Sequence, residues 1–304
     1  MKKFLIKLTI FGVLLFGVDR GIGAAMFYFS NRAIGGYVAH HNYMNNEMTD
    51  KDVLVFGSSR AVHHYDAKMI EDSLGLTCYN CGQDGSGIIQ IYGEWLMMKE
   101  HCQPKLIVYD LQDSYDLYVG EPNTKYLGWL KPYYEREGVK EIFDDVDKTE
   151  KWKMLSMMYR NNSQVLQIMS DFLHPMYVID PYGFLPMDLQ MDTLQIRKSS
   201  GKAVKKKLPE VDPLKIQYFE KFVESLGETK LIVAVSPMWY GQDVERFAPI
   251  IEICEKYNIP FVDCSNDERF VHHNEYFYNG THLNATGARE FTKDFINEEL
   301  CKYQ

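Results

Sequence analysis

The stretch Val53-Leu54-Val55-Phe56-Gly57-Ser58-Ser59-Arg60 limits what this chain can fold into more than any other. Its four apolar residues, two of them β-branched valines, read as a buried strand, and Gly57 ends it. Apolar side chains then recur at Ala61, Val62, Tyr65, Met69, Ile70 and Leu74, which predicts a helix over 61–74. A serine at such a strand-to-helix turn lies where backbone N–H groups lack partners and the helix dipole is positive. A developing oxyanion is stabilised there, so the place suits a nucleophile. Capping of the helix by Ser58 or Ser59 is the other use of the same residues.

Further strands are expected at 76–80, 105–111, 230–235 and 260–263, and helices at 88–100, 214–226, 244–258 and 285–301. Strands that alternate with helices imply a parallel sheet covered on both faces, a three-layer α/β fold. Active residues in such folds gather at the carboxyl ends of the strands. The alternation is interrupted over about 115–210, rich in Tyr, Met, Trp and Asp, which reads as a largely helical insertion lying over the site. Its aromatic residues Trp129, Tyr133, Tyr134, Tyr159, Tyr177 and Tyr182 suit either a core or stacking on sugar rings.

Near the other end of the chain stands Asn279-Gly280-Thr281-His282-Leu283-Asn284-Ala285-Thr286-Gly287-Ala288, a Gly-containing loop before the final amphipathic helix. Together with Gly57-Ser58-Ser59 it resembles the SGNH, or GDSL-like, hydrolase family. The resemblance makes Ser59 the counterpart of the nucleophile and His282 that of the general base. Leu283, Asn284, Gly287 and Ala288 match the residues that follow the histidine. The family aspartate three residues before the histidine is Asn279 here. A second family block, Asn-x-x-x-x-Gly, matches Asn80 to Gly85 and implies that the Gly85 N–H serves an oxyanion hole with that of Ser59. In the third block the family asparagine is missing. Gln112 can donate there through its amide, whereas an ionised Asp113 cannot. Asp110 is then a supporting acceptor behind the site or a turn residue.

The chain has 304 residues, 46% of them hydrophobic, and a net charge of −9. No basic cluster is accompanied by a stacking motif, which argues against nucleic-acid binding, and Lys205-Lys206-Lys207 reads as a solvated loop. Lys2 and Lys3 precede an apolar run over 4–18, broken by Lys7 and Thr9 and followed by Asp19-Arg20, the pattern of an export signal. The run is short for a full span. Cleavage near Gly23-Ala24-Ala25 would give a secreted protein. The aromatic residues that follow at 26–29 suit a membrane interface and favour an uncleaved anchor, with the body outside the cytosol. No cysteine follows closely enough for a lipoprotein anchor. The expected organisation is a signal-anchor at 1–30, a connector at 31–52 and an α/β domain at 53–304.

Six cysteines fit no zinc spacing. Cys78-Tyr79-Asn80-Cys81 has redox-motif spacing, but core thiols or an incidental disulfide are the expected uses. The pairs His40-His41, His63-His64 and His272-His273 lack a carboxylate pattern, so no metal and no cofactor are expected. These features point to an extracytosolic serine esterase or acyltransferase. Its substrate would be a small ester or an acylated carbohydrate, such as O-acyl groups of a surface or dietary polysaccharide. The alternatives are a catalytically weak or inactive relative that binds glycan or a membrane-assembly partner, and a structural anchor with no site.

Overall fold

The computed structural model describes residues 1–161, 164–194, 196 and 208–303. The run Lys205-Lys206-Lys207 lies outside the described residues. The chain groups into two compact units, Met1–Glu47 with Asn123–Val178, and Met48–Pro122 with Ile179–Gln304.

The second of these is a three-layer α/β unit. Its strands β1 (Val53–Gly57), β2 (Cys78–Asn80), β3 (Leu106–Asp110), β4 (Lys230–Val235) and β5 (Phe261–Asp263) form one sheet in the order β2-β1-β3-β4-β5. Every pairing is parallel, as expected for strands read as continuous apolar runs. Strand order reverses between β1 and β3, so the crevice at their carboxyl ends is the switch point of the sheet. The core against one face gathers Val53, Val55, Val108, Ile232 and Ala234 with Phe291 and Phe295 of the last long helix.

The helix expected over 61–74 is two helices, α3 (Ser59–His64) and α4 (Ala67–Leu74). Tyr65 between them is extended, because side chains take the groups that a continuous helix would pair. The Asn80 amide donates to the carbonyls of Ala61 (2.7 Å) and Tyr65 (2.8 Å), and Thr292 Oγ1 to that of His64 (3.1 Å). Asp66 then starts α4 by accepting the Met69 N–H at 3.2 Å. The remaining long helices of this unit are α5 (Ile88–Met98), α11 (Pro213–Glu224), α12 (Ala248–Tyr257) and α13 (Ala285–Glu298). A short antiparallel hairpin, β6 (Phe277–Asn279) with β7 (His282–Leu283), precedes α13 and was not expected from the sequence.

The segment after Val178 belongs to this unit as well. Leu185 N–H donates to Val62 O (2.9 Å), Met191 N–H to Phe277 O (2.7 Å), and Asn80 N–H to Tyr182 O (2.8 Å). Phe184 and Met191 sit in its core.

The other unit contains α1 (Lys2–Ser30), α2 (Gly36–Asn42), α7 (Val139–Val146), α8 (Glu150–Lys153), α9 (Met157–Asn161) and α10 (Val165–Leu173). Helix α1, 29 residues long, is long and apolar enough to cross a membrane. Several of its unit's aromatic rings pack on one another: Trp129 stacks on His41 at 4.2 Å, and Tyr134 meets Phe143 edge-on at 5.1 Å.

Candidate active site

The turn after β1 is tight enough to demand glycine. Gly57 has φ +146°, and a Cβ there would stand 2.6 Å from Asp110 O and 2.9 Å from Ala61 Cβ. Ser58 occupies the place of a helix cap, yet its side chain makes no capping bond. Its hydroxyl donates instead to Gln112 Oε1 at the end of β3. Ser59 opens α3, so its N–H has no acceptor within the helix. Its hydroxyl lies 2.7 Å from His282 Nε2.

His282 is the first residue of β7, and Asn279 the last of β6. The Asn279 Oδ1 atom lies 3.1 Å from His282 Nδ1 and also accepts the backbone N–H groups of Thr281 (2.9 Å) and His282 (3.0 Å). A backbone N–H can only donate, so the side-chain atom facing both must be the amide oxygen. That fixes the imidazole as well: Nδ1 carries the proton, and Nε2 presents its lone pair to the Ser59 hydroxyl. The two nearby carboxylates are engaged elsewhere, Glu275 with His273 (3.2 Å) and Asp267 with Arg269 (2.9 Å).

A buried polar chain supports this pair from behind. His64, at the end of α3, accepts the Leu283 N–H at its Nε2 (2.9 Å), directly after His282. Its Nδ1 therefore bears the proton and donates to Ser236 Oγ (2.8 Å). Burial holds the His64 pKa well below the usual histidine value, keeping the ring neutral. The Ser236 N–H donates to Asp110 Oδ1 (2.8 Å), which also accepts the Tyr65 hydroxyl (3.1 Å). Arg60, next to Ser59, pairs with Asp110 at 3.3 Å, both fully buried, and donates to Leu111 O. Burial raises the Asp110 pKa, and the Arg60 guanidinium opposes that shift. Asp110 is thus the supporting acceptor of the two roles open to it.

The loops expected to supply oxyanion donors are tied to the same end of the sheet. Gln83 N–H and Ser86 Oγ both donate to Gly57 O, at 3.3 and 2.9 Å, and so hold Gly85 between them next to the end of β1. Gly82 approaches α3 so closely that a Cβ would lie 2.4 Å from Val62 N. Gln112 Oε1 is taken by Ser58, which leaves its Nε2 as the donor without a partner among the described residues. Asp113 is held by Arg246 Nε (2.8 Å) and Gln242 (3.0 Å).

Asp116 joins the two loops, accepting the N–H groups of Gln112 and Ile88 (both 2.8 Å) and the Tyr109 hydroxyl (2.9 Å). Burial pushes its pKa up to about 6. Sequence reasoning gave Asp116 no role.

His63 faces two acceptors, Leu185 O (2.5 Å) and Asp84 (3.1 Å), and meets His282 edge-on at 5.6 Å. The carboxylate near this histidine pair came from the loop before Gly85 and was invisible as local spacing. Among the described residues no group of three or more His, Cys, Asp and Glu is placed to hold a metal ion. All six cysteines are free thiols, and burial raises the pKa of both Cys78 and Cys81. Such buried thiols resist ionisation.

No family model and no curated protein matches this chain. Among solved structures it is similar to one from Parabacteroides merdae named, by inference, a GDSL-like lipase. The TM-score is 0.35 and the identity 11%, over 82% of this chain and 96% of that one. The likeness is too distant to carry an activity or a residue role across.

Proposed function

We propose that the chain is a serine esterase or O-acyltransferase acting on O-acyl groups outside the cytosol, with Ser59 as nucleophile and His282 as general base. The observation that carries this reading is the 2.7 Å contact between Ser59 Oγ and His282 Nε2, with the tautomer set by Asn279. Ser59 Oγ adds to the acyl carbonyl while His282 Nε2 takes its proton. The N–H groups of Ser59 and Gly85 and the Gln112 amide hold the oxyanion, each donor lowering the barrier by about 3 kcal/mol. Collapse expels the alcohol, which receives the proton from His282. Water or a sugar hydroxyl then attacks the acyl-serine, giving hydrolysis or transfer. An acylated carbohydrate is the substrate class this reading favours. Helix α1, with Lys2 and Lys3 on the cytosolic side, would keep the body at the outer face of the membrane, unless cleavage releases it.

A fluorophosphonate probe on the full chain tests the nucleophile. Wild type labels, Ser59→Ala does not, and Ser59→Ala loses turnover of a chromogenic acetyl ester by about 10³-fold or more. Ser58→Ala, which removes only the contact to Gln112, keeps labelling. Absence of labelling in wild type would instead support a binding protein built on the same fold. The neutral Asn279 is the observation that favours this second reading. Mass analysis of an O-acetylated glycan after incubation separates the hydrolase from the transferase.

A further inference from the structure

We propose that the turn between α8 and α9, with Trp152, Leu155 and Met158, is immersed in the same bilayer that α1 spans. The membrane boundary then lies past Asp19 and Arg20, near Gly23. The inference rests on α1 being a membrane span.

The apolar part of α1 before Asp19 is about 15 residues, or about 22 Å of helix. The hydrocarbon core is about 30 Å thick and needs about 20 residues. The shortfall is about five residues, the stretch from Asp19 to Gly23. Charges at that depth are rare and almost always paired, and here Asp19 and Arg20 lie 3.6 Å apart and both bind the turn before α9, with the Arg20 side chain left 41% exposed. Asp19 accepts the N–H groups of Met157 (2.9 Å) and Met158 (3.0 Å) and the Ser156 hydroxyl. Arg20 donates to Leu155 O (2.6 Å) and lies over the Phe16 ring at 4.7 Å. Gly23 is buried against Met157, where a Cβ would come within 2.4 Å of Met157 Cβ. The turn is thus fixed to α1 at the depth where the span falls short.

Around this joint exposed apolar side chains stand among cations: Lys151 and Lys153 flank Trp152 and are exposed, with stems long enough to carry their charges to the headgroups. Trp152, Leu155 and Met158 are 69%, 63% and 44% exposed, and Ile22 on α1 is 38% exposed. Phe16 and Val18, which precede the joint on α1, are 61% and 55% exposed, so apolar side chains are exposed on the spanning helix beside the joint as well. Tryptophan at the edge of such a patch is the residue type favoured at the headgroup level. A bilayer is the occupant these side chains suit, because the turn that carries them is hydrogen-bonded to the spanning helix.

The test places a nitroxide at Leu155→Cys and Met158→Cys in the full chain carrying Cys301→Ser, reconstituted in phosphatidylcholine vesicles. Collision with oxygen is compared with collision with a water-soluble nickel chelate. Phe11→Cys reports the span itself, and Val119→Cys, on the α/β unit, reports water. Labels at 155 and 158 that favour oxygen as Phe11→Cys does bear out the proposal. Labels that favour nickel as Val119→Cys does overturn it, and labels shielded from both reagents overturn it too, since protein then covers the turn. If Phe11→Cys favours nickel, the span fails and the immersed turn fails with it.

Discussion

Asn279 decides how much His282 can do. Its amide oxygen already carries the geometric part of an aspartate's role, because two backbone N–H groups prevent the flip that would select the wrong imidazole tautomer. What the amide lacks is a negative charge facing the imidazolium that the proposed mechanism forms when Ser59 gives up its proton. Asn279→Asp puts a carboxylate oxygen in the same place with the same backbone donors. In a serine protease the reverse change costs about 10⁴-fold, part of it through the tautomer. Here only the charge is missing, so Asn279→Asp should raise kcat for acetyl-ester hydrolysis by about 10- to 100-fold with little change in KM. Steady-state kinetics at neutral pH check this. A rate that stays level or falls would mean that Asn279 does not support His282.

At the scale of elements, strands β1, β3 and β4 were legible because a strand buried on both faces is written as an unbroken apolar run. The split between α3 and α4 was not, since Tyr65 keeps the helical apolar spacing and no glycine or proline marks the break. Asn80 and Thr292 make that break, from positions distant in sequence. The β6–β7 hairpin escaped notice because strands of three and two residues carry no period. Ser59, His282 and Asn279 were readable from two short motifs. The residues behind them, His64 and Ser236, and Asp116, which ties Gln112 to Ile88, were not, because each acts through a contact between elements. Gly82 is a case in point: as sequence it is one of several glycines in a turn, but in space it lets that turn touch α3. Gly82→Ala puts a methyl 2.4 Å from Val62 N and 2.8 Å from Ala61 Cβ. Neither can retreat without moving α3, which Ser59 opens. Thermal unfolding of the variant should show a loss of about 1–3 kcal/mol, with esterase activity falling further than stability. Unchanged stability and activity would show that α3 yields there.

For the whole molecule, buried titratable groups give folding a pH dependence of opposite sign at its two ends. His64 is held neutral by burial, so the stability it contributes is present above the ordinary histidine range and is lost as pH falls below it. Glu94 on α5 acts the other way. It is buried, accepts a hydrogen bond from Gln90 Nε2 at 2.9 Å, and burial pushes its pKa from 4.5 up to about 8. The native state then binds a proton that the unfolded chain releases above about pH 4.5. Its contribution is full below that pH and is lost as pH rises through about 8. The displacement corresponds to a few kcal/mol, on the order of 1.4 kcal/mol per pH unit. Asp116, raised to about 6, adds a loss of the same sign at lower pH. Glu94→Gln keeps the shape and a hydrogen-bonding oxygen but cannot ionise. The variant should match wild type at pH 5.5 and exceed its Tm at pH 9, when both full chains are unfolded in the same detergent and buffers. Equal declines of Tm between pH 6 and 9 in the two proteins would remove Glu94 as the titrating group and leave the alkaline loss to another site.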